Sequence, residues 1–204
     1  SGDDGIHADA NAAISGGTLT ISKSYEGIEG KSIDITGGTI TVTASDDGLN
    51  AAGGNDSSSF GRRGSNSYSS SGDSYINISG GKLTVNSTGD GIDSNGSLYV
   101  SGGETYVSGP TASDNGALDY DGTAAITGGV LIAAGSSGMA QNFGSTSTQG
   151  SILASVSSGK STDSTITLKD SSGTVLATFT PAKTYSSVVV SAPGIKTGQT
   201  YTLV

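Results

Sequence analysis

Acidic side chains recur in this chain at the one place where a repeat would stack them. Asp4, Glu26, Asp47 and Asp90 each stand directly before a glycine, and two positions beyond that glycine come His7, Glu29, Asn50 and Asp93. Asp119 joins the second set when its own stretch is aligned on its Asp-Gly end, and Asp3, Asp46 and Asp114 form a third, partial set. Copies stacked at the strand spacing of about 4.8 Å would make neighbouring bare carboxylates repel by about 1 kcal/mol in water and about 3.5 kcal/mol at an effective dielectric of 20. Repeated along a rod, that repulsion needs a counterweight. Ca²⁺ is the simplest one, because it accepts about six to eight oxygen ligands in loose geometry from carboxylates and backbone carbonyls. The competing explanation is that Asp-Gly merely shapes solvent-facing turns. His7 reads as a surface substitution in its set, since hard calcium prefers oxygen.

Other chemistry is sparser. Tyr99 and Tyr106 are expected to point outward on either side of Gly102-Gly103, where a ring can stack on a pyranose face. Arg62 and Arg63 could meet an acidic sugar's carboxylate. The single histidine lies inside a turn repeat and no nucleophile elbow is present, which argues against a Ser/His/Asp hydrolase. A polysaccharide lyase would need a Lys or Arg base beside a calcium-bound uronate, and Lys23, Lys31 and Lys82 are the bases near the repeats. The outward threonines, such as Thr18, Thr39 and Thr41, are explained by β-propensity.

The elements that must position these groups are set by a degenerate repeat of about 22 residues. The glycines of Asp-Asp-Gly-Ile and its variants are Gly5, Gly27, Gly48 and Gly91, in steps of 22, 21 and 43. Ser/Thr-Gly-Gly recurs at 15–17, 36–38, 79–81, 101–103 and 127–129. Only one such triplet falls between Gly48 and Gly91, so the long step is one repeat carrying an insertion, the Gly/Ser/Asn-rich stretch 53–74. Weaker copies at Asp114-Asn-Gly-Ala-Leu-Asp and Ser136-Ser-Gly-Met-Ala-Gln bring the total to about six. Between glycines the apolar residues alternate, which means short strands. Three inward columns follow: Leu19, Ile40, Leu83, Thr105 and Leu131; Ile21, Val42, Val85, Val107 and Ala133; and Ile14, Ile35, Ile78, Val100 and Ile126. The expected fold is all-β: a right-handed parallel β-helix over residues 1–150. Residues 151–204, where the signatures stop, read as a small C-terminal β cap over the exposed end.

Composition is consistent with this. The chain has 34 glycines but only 3 prolines, no cysteine, 13% charged residues and a net charge of −9. It has no disulfide or thiolate site, and its scattered basic residues argue against nucleic acid. No apolar run is long enough for a membrane span. The richness in Ser, Thr, Asn and Gly suits a bacterial protein outside the cell or on its surface, and a monomer is the expected state.

The turns quoted above, with Gly89-Asp-Gly-Ile-Asp-Ser-Asn-Gly96 and Asn115-Gly-Ala-Leu-Asp-Tyr-Asp-Gly122, resemble the carbohydrate-binding parallel β-helix family typified by a clostridial cell-surface polysaccharide-binding protein, whose fold is pectate-lyase-like. The likeness covers residues 1 to about 143. It implies bound calcium, recognition of plant-wall polysaccharide including cellulose and acidic pectin chains, and no established catalytic activity. It also implies calcium ligands at Asp3, Asp4, Glu26, Glu29, Asp46, Asp47, Asp90 and Asp93, with His7 and Asn115 departing from the acidic pattern. The leading expectation is a calcium-binding carbohydrate-binding module. A calcium-dependent pectate-type lyase and a structural adhesin or stalk are the alternatives.

Overall fold

Apolar residues alternating between glycine corners commit each repeat to strands that can bury their inward side only against the next repeat. The computed structural model, which describes residues 3–52, 73–162 and 164–204, arranges them as a parallel β-helix. Its first turn is β1 (Ile6–Ser24) and its second β2 (Ile28–Ala44). The third turn comprises β3 (Leu49–Ala51), β4 (Tyr75–Ile78) and β5 (Lys82–Ser87). The fourth comprises β6 (Ile92–Ser94), β7 (Ser97–Val100) and β8 (Glu104–Ser108), and the fifth β9 (Leu118–Tyr120), β10 (Ala124–Ile126) and β11 (Val130–Gly135). No helix occurs among the described residues.

All three expected columns are in register, residue for residue. A further column, Ile6, Ile28, Leu49, Ile92 and Leu118, lines the first face, the one that carries the acidic turns. Ile28, Ile35, Ile40, Leu49, Ile78, Leu83 and Ile92 are fully buried, each worth about 1.5–3 kcal/mol of hydrophobic stabilisation. Ile6, Ile14 and Leu19 in the first turn are only half-buried.

The Gly-Gly corners hold the second and third faces in place for two separate reasons. Gly17, Gly38, Gly81, Gly103 and Gly129 adopt φ between 77° and 94°, a region open to glycine. The glycine just before each of the last four has no room for a side chain. A Cβ on Gly37, Gly80, Gly102 or Gly128 would overlap the carbonyl of Ser15, Thr36, Ser79 or Ser101 in the preceding turn.

Two expectations are corrected. The helix has five stranded turns, not six. The copy at Ser136–Gln141 follows the same path as irregular chain, with Gly144 N donating to Ala124 O at 2.8 Å and Gln149 N to Ile126 O at 3.1 Å. Apolar alternation is absent from Asn142 to Gln149, so no strand forms, and buried Phe143 fills the end of the core instead. Part of the stretch 151–204, expected as a separate cap, continues the helix. The unforeseen β12 (Ser151–Lys160) pairs antiparallel with β15 (Tyr185–Ser191), which pairs antiparallel with β11. Only β13 (Ile166–Lys169), β14 (Val175–Phe179) and β16 (Thr202–Leu203) form a separate sheet. That sheet packs through Ile166, Leu168 and Ala177 on a second core with Ile132, Val188 and Val190, covering the outward side of the last turn. Residues 53–72 of the expected insertion, with Arg62 and Arg63, lie outside the described residues.

Candidate functional site

The acidic turns lie where the first face begins. Gly27, Gly48 and Gly91 make the corner tight, since a Cβ on each would overlap the carbonyl of Gly48, Gly91 or Ala117 in the following turn. The residue before each glycine is thereby held against the turn beyond it. At Asp4, Asp47 and Asp90 one carboxylate oxygen accepts a backbone N–H from that turn: Glu26 N to Asp4 Oδ1 at 3.2 Å, Asp90 N to Asp47 Oδ1 at 2.7 Å, and Gly116 N to Asp90 Oδ1 at 2.5 Å. Two residues after the glycine, the ladder places His7, Glu29, Asn50, Asp93 and Asp119 directly in line. Gln141 extends the line, donating to Asp119 Oδ1 at 3.1 Å.

The fifth turn is aligned differently from the expectation based on Asn115-Gly116. Ile92 N donates to Ala117 O just as Leu49 N donates to Gly91 O, so Ala117 fills the glycine slot and Gly116 the acidic one. Counting back along the chain puts Asn115 in step with Asp46, and exposed Asp114 falls one place outside the set to which it was assigned. Asp3 stays in that set, since Tyr25 N donates to its carbonyl and Asp46 N to that of Tyr25.

Among the described residues, two groups of ligand-type atoms converge. Asp47, Asp90 and Asp93 have carboxylate oxygens within 4.8 Å of one another, and so do the ligand atoms of Asp4, His7 and Glu29. His7, expected as a surface substitution, is exposed and in contact with three acidic residues. Its Nδ1 lies 2.6 Å from Glu29 Oε2 and 3.7 Å from Asp4 Oδ2, and its Nε2 lies 3.2 Å from Asp9 Oδ1. Burial, then repulsion from Asp93 and Asp90, raises Asp47 well above the usual carboxylate range. Burial, then Asp90 and Asp119, does the same to Asp93. Burial takes Asp90 up to about 6 against the opposing Gly116 N–H, and takes Glu26 up to about 8, with Glu29 adding repulsion. Glu29 is raised to about 7 by burial and by Asp4, with His7 pulling it back. Asp119 is raised mainly by burial.

The residues fit a hard cation. Between the two groups, Glu26 Oε2 and Asn50 Oδ1 are buried without a hydrogen-bond donor, and further along the line Gln141 Oε1 is too. Glu26 and Asn50 are 6% and 7% exposed, so bulk solvent has little access to them. An orphaned acceptor costs about 1–3 kcal/mol, and a divalent cation relieves that cost together with the carboxylate repulsion. Asp47, Asp90, Asp93, Glu26 and Asn50 are the residues that would hold it.

The aromatic candidates fare unequally. Tyr106 stacks on Phe179 of β14, with centroids 5.2 Å apart, and Lys82 Nζ stands 5.5 Å from its centroid, so the ring serves the cap. Tyr99 is 41% exposed on the second face. It neighbours Asn77, which with Tyr75 donates to Asp34 at 3.0 Å each. Tyr25 was missed from the sequence, although it sits inside the Tyr-Glu-Gly-Ile turn. It is also 41% exposed, and its hydrogen bond to Asp46, then burial, pushes its hydroxyl up to about 12. An aromatic ring thus borders the acidic line. Lys31 pairs with Asp73 at 4.0 Å and Lys82 with Glu104 at 3.6 Å. Half-buried Lys183, lowered to about 8 by burial, bonds to Ser87 O from the cap.

Residues 1–48, which hold the first two turns and the Asp46-Asp47-Gly48 corner, match a family model described as carbohydrate-binding domain-containing protein. No curated protein and no solved structure matches the chain. Among the described residues, no helix is long and apolar enough to cross a membrane. The match supports a carbohydrate-binding family and a polysaccharide as the class of partner.

Proposed function

We propose that this protein is a non-catalytic module, outside the cell or on its surface, that binds acidic plant-wall polysaccharide through calcium held on its first face. Polygalacturonate is the preferred ligand and cellulose a second. The observation that carries this is the convergence of Asp47, Asp90 and Asp93 beside the orphaned oxygens of Glu26 and Asn50. Each of Asp47 and Asp90 commits one oxygen to the backbone of the next turn, leaving the other to a cation. Bound calcium, with room in its coordination sphere for a uronate carboxylate, would join protein and sugar. Tyr25, exposed beside Asp46, offers a ring face to the same chain. The partial family match at residues 1–48 supports the sugar, and the donor chemistry supports the cation.

Affinity electrophoresis in polygalacturonate and in soluble cellulose derivatives, with calcium or with chelator, tests the reading. Retardation in polygalacturonate should require calcium. Tyr25→Ala should weaken it about threefold to tenfold, from roughly 0.5–1.5 kcal/mol of ring contact. Unchanged mobility in every gel would leave a stalk as the better description. Steady release of unsaturated oligogalacturonides would make the protein a lyase.

A further inference from the structure

Outward residues of the second face fall into rows as regular as the buried columns. The ladder puts Asp34, Asn77, Tyr99 and Ala125 in one row, and Ser32, Tyr75 and Ser97 in the row beside it. Across these rows Tyr75 Oη donates to Asp34 Oδ2 and Asn77 Nδ2 donates to Asp34 Oδ1, each at 3.0 Å. A carboxylate has about four acceptor positions, so the two donors fix the orientation of Asp34 and leave it able to accept more. Asp34 is only half-buried, and no Lys or Arg pairs with it among the described residues.

One rung beyond Asn77 stands Tyr99, which with Tyr25 is the most exposed aromatic ring among the described residues. Its row neighbour Ala125 and its strand neighbours Ser97 and Ser101 are all small, so the ring stands above them. Tyr106, the outward tyrosine of the third face, stacks on Phe179, whereas no ring contact or hydrogen bond holds Tyr99 among the described residues. The second face thus carries an open ring and, two rungs or about 10 Å away, an acceptor of fixed orientation. A pyranose can lay its C–H face on the ring while hydroxyls of the neighbouring sugar reach the acceptor. Charge selects the sugar. Asp34 accepts from hydroxyls but repels a uronate carboxylate, and both groups of cation-ligand atoms lie on the first face, away from it.

We propose that the second face is a separate subsite for an extended neutral glycan, with Tyr99 stacking on one sugar and Asp34, steadied by Tyr75 and Asn77, accepting hydroxyls from the next. It rests on the carbohydrate-binding reading above but not on the cation in that reading. It needs no calcium, and it leaves the first face free for an acidic chain.

Affinity electrophoresis in hydroxyethylcellulose, with chelator present, tests the subsite. The parent should be retarded, Tyr99→Ala should weaken the retardation about threefold to tenfold, and Tyr99→Phe, which keeps the ring, should retain it. Asp34→Asn should weaken it by about as much and, with the charge gone, should move more slowly than the parent in polygalacturonate with chelator. Added polygalacturonate and calcium should not displace hydroxyethylcellulose, because the two chains lie on different faces. No retardation of the parent in chelator, retardation that Tyr99→Ala leaves unchanged, or displacement by polygalacturonate would each overturn the proposal. Retardation in hydroxyethylcellulose that depends on Tyr99, in a protein that shows no calcium-dependent retardation in polygalacturonate, would uphold this subsite while removing the cation from the first face.

Discussion

The two ligand groups on the first face are built on the same repeat and solve the same electrostatic problem in opposite ways. Asp4, His7 and Glu29 bring two carboxylates together around an imidazole, and the second ring nitrogen faces Asp9. Asp47, Asp90 and Asp93 bring three together with no basic residue among them. The first group contains its own donor. The second satisfies part of its charge with backbone N–H groups and leaves the rest to protons or a cation. The two groups also draw on different positions of the repeat: the first takes one residue before the glycine and two after it, the second takes two before and one after, and the second's counterpart of His7 is Asn50.

The largest effect should come from disarming the second group. If the proposed site binds calcium, the ion at about a hundred times its dissociation constant should add about 2.7 kcal/mol of stability to the unaltered protein, or roughly 5–10 °C for a chain of this size. The double variant Asp47→Asn, Asp93→Asn should lose nearly all of that calorimetric shift and should melt no lower than the parent in chelator, since it also removes repulsion. A variant that keeps the full shift would place the cation elsewhere.

The pH dependence of the cation-free protein should be next in size. Folding raises Glu26 to about 8, Glu29 to about 7 and Asp90 to about 6, and lifts Asp47 and Asp93 as well, whereas in the unfolded chain all titrate near 4. Between those limits the folded state binds more protons than the unfolded one, so stability falls as pH rises. The destabilisation is absent below about pH 4 and grows as pH rises through about 6, 7 and 8, where Asp90, Glu29 and Glu26 lose their protons in the folded state. In chelator the melting temperature should be clearly higher at pH 5 than at pH 8. In calcium the difference should shrink or reverse, because the cation competes with protons for the same oxygens. Equal melting temperatures at the two pH values in chelator would mean that these carboxylates remain solvated in the folded protein.

How much of this was legible in the sequence depends on what fixes each residue. The columns headed by Leu19, Ile21 and Ile14 could be read off because the Gly-Gly pairs reset the register in every turn, and Asp93 opposite Asp119 follows from the same period. Asp114 was misplaced because the fifth corner uses Ala117 where the others use glycine, and only the backbone ladder reveals the shift. The sixth turn was expected from its Ser-Ser-Gly signature, but the signature marks a corner and does not make a strand without alternation after it. Tyr106 was expected to face solvent, and period two does orient it outward. Its partner Phe179 comes from a strand 73 residues further on, with no periodic relation to it. The role of His7 was hidden for a similar reason: a lone histidine in an acidic column is informative only once Asp4 and Glu29 are known to reach its Nδ1.

The smallest effect should be the most discriminating. His7→Asn keeps a polar side chain in the column but removes the ring that faces Glu29, Asp4 and Asp9 at once. Asp4 and Glu29 are then left as a carboxylate pair without a basic partner, and Glu29, which His7 holds down, should rise further. In chelator at pH 8 the variant should melt about a degree or two below the parent, in line with the loss of roughly 0.5 kcal/mol from a partly exposed pair. Calcium should then stabilise the variant more than it stabilises the parent, because the first group has become cation-demanding like the second. Calorimetry with and without calcium measures both quantities. An identical calcium shift in variant and parent would show that the imidazole is not what separates the two groups, and that the three acids of the second group and the orphaned oxygens beside them set its demand for a cation on their own.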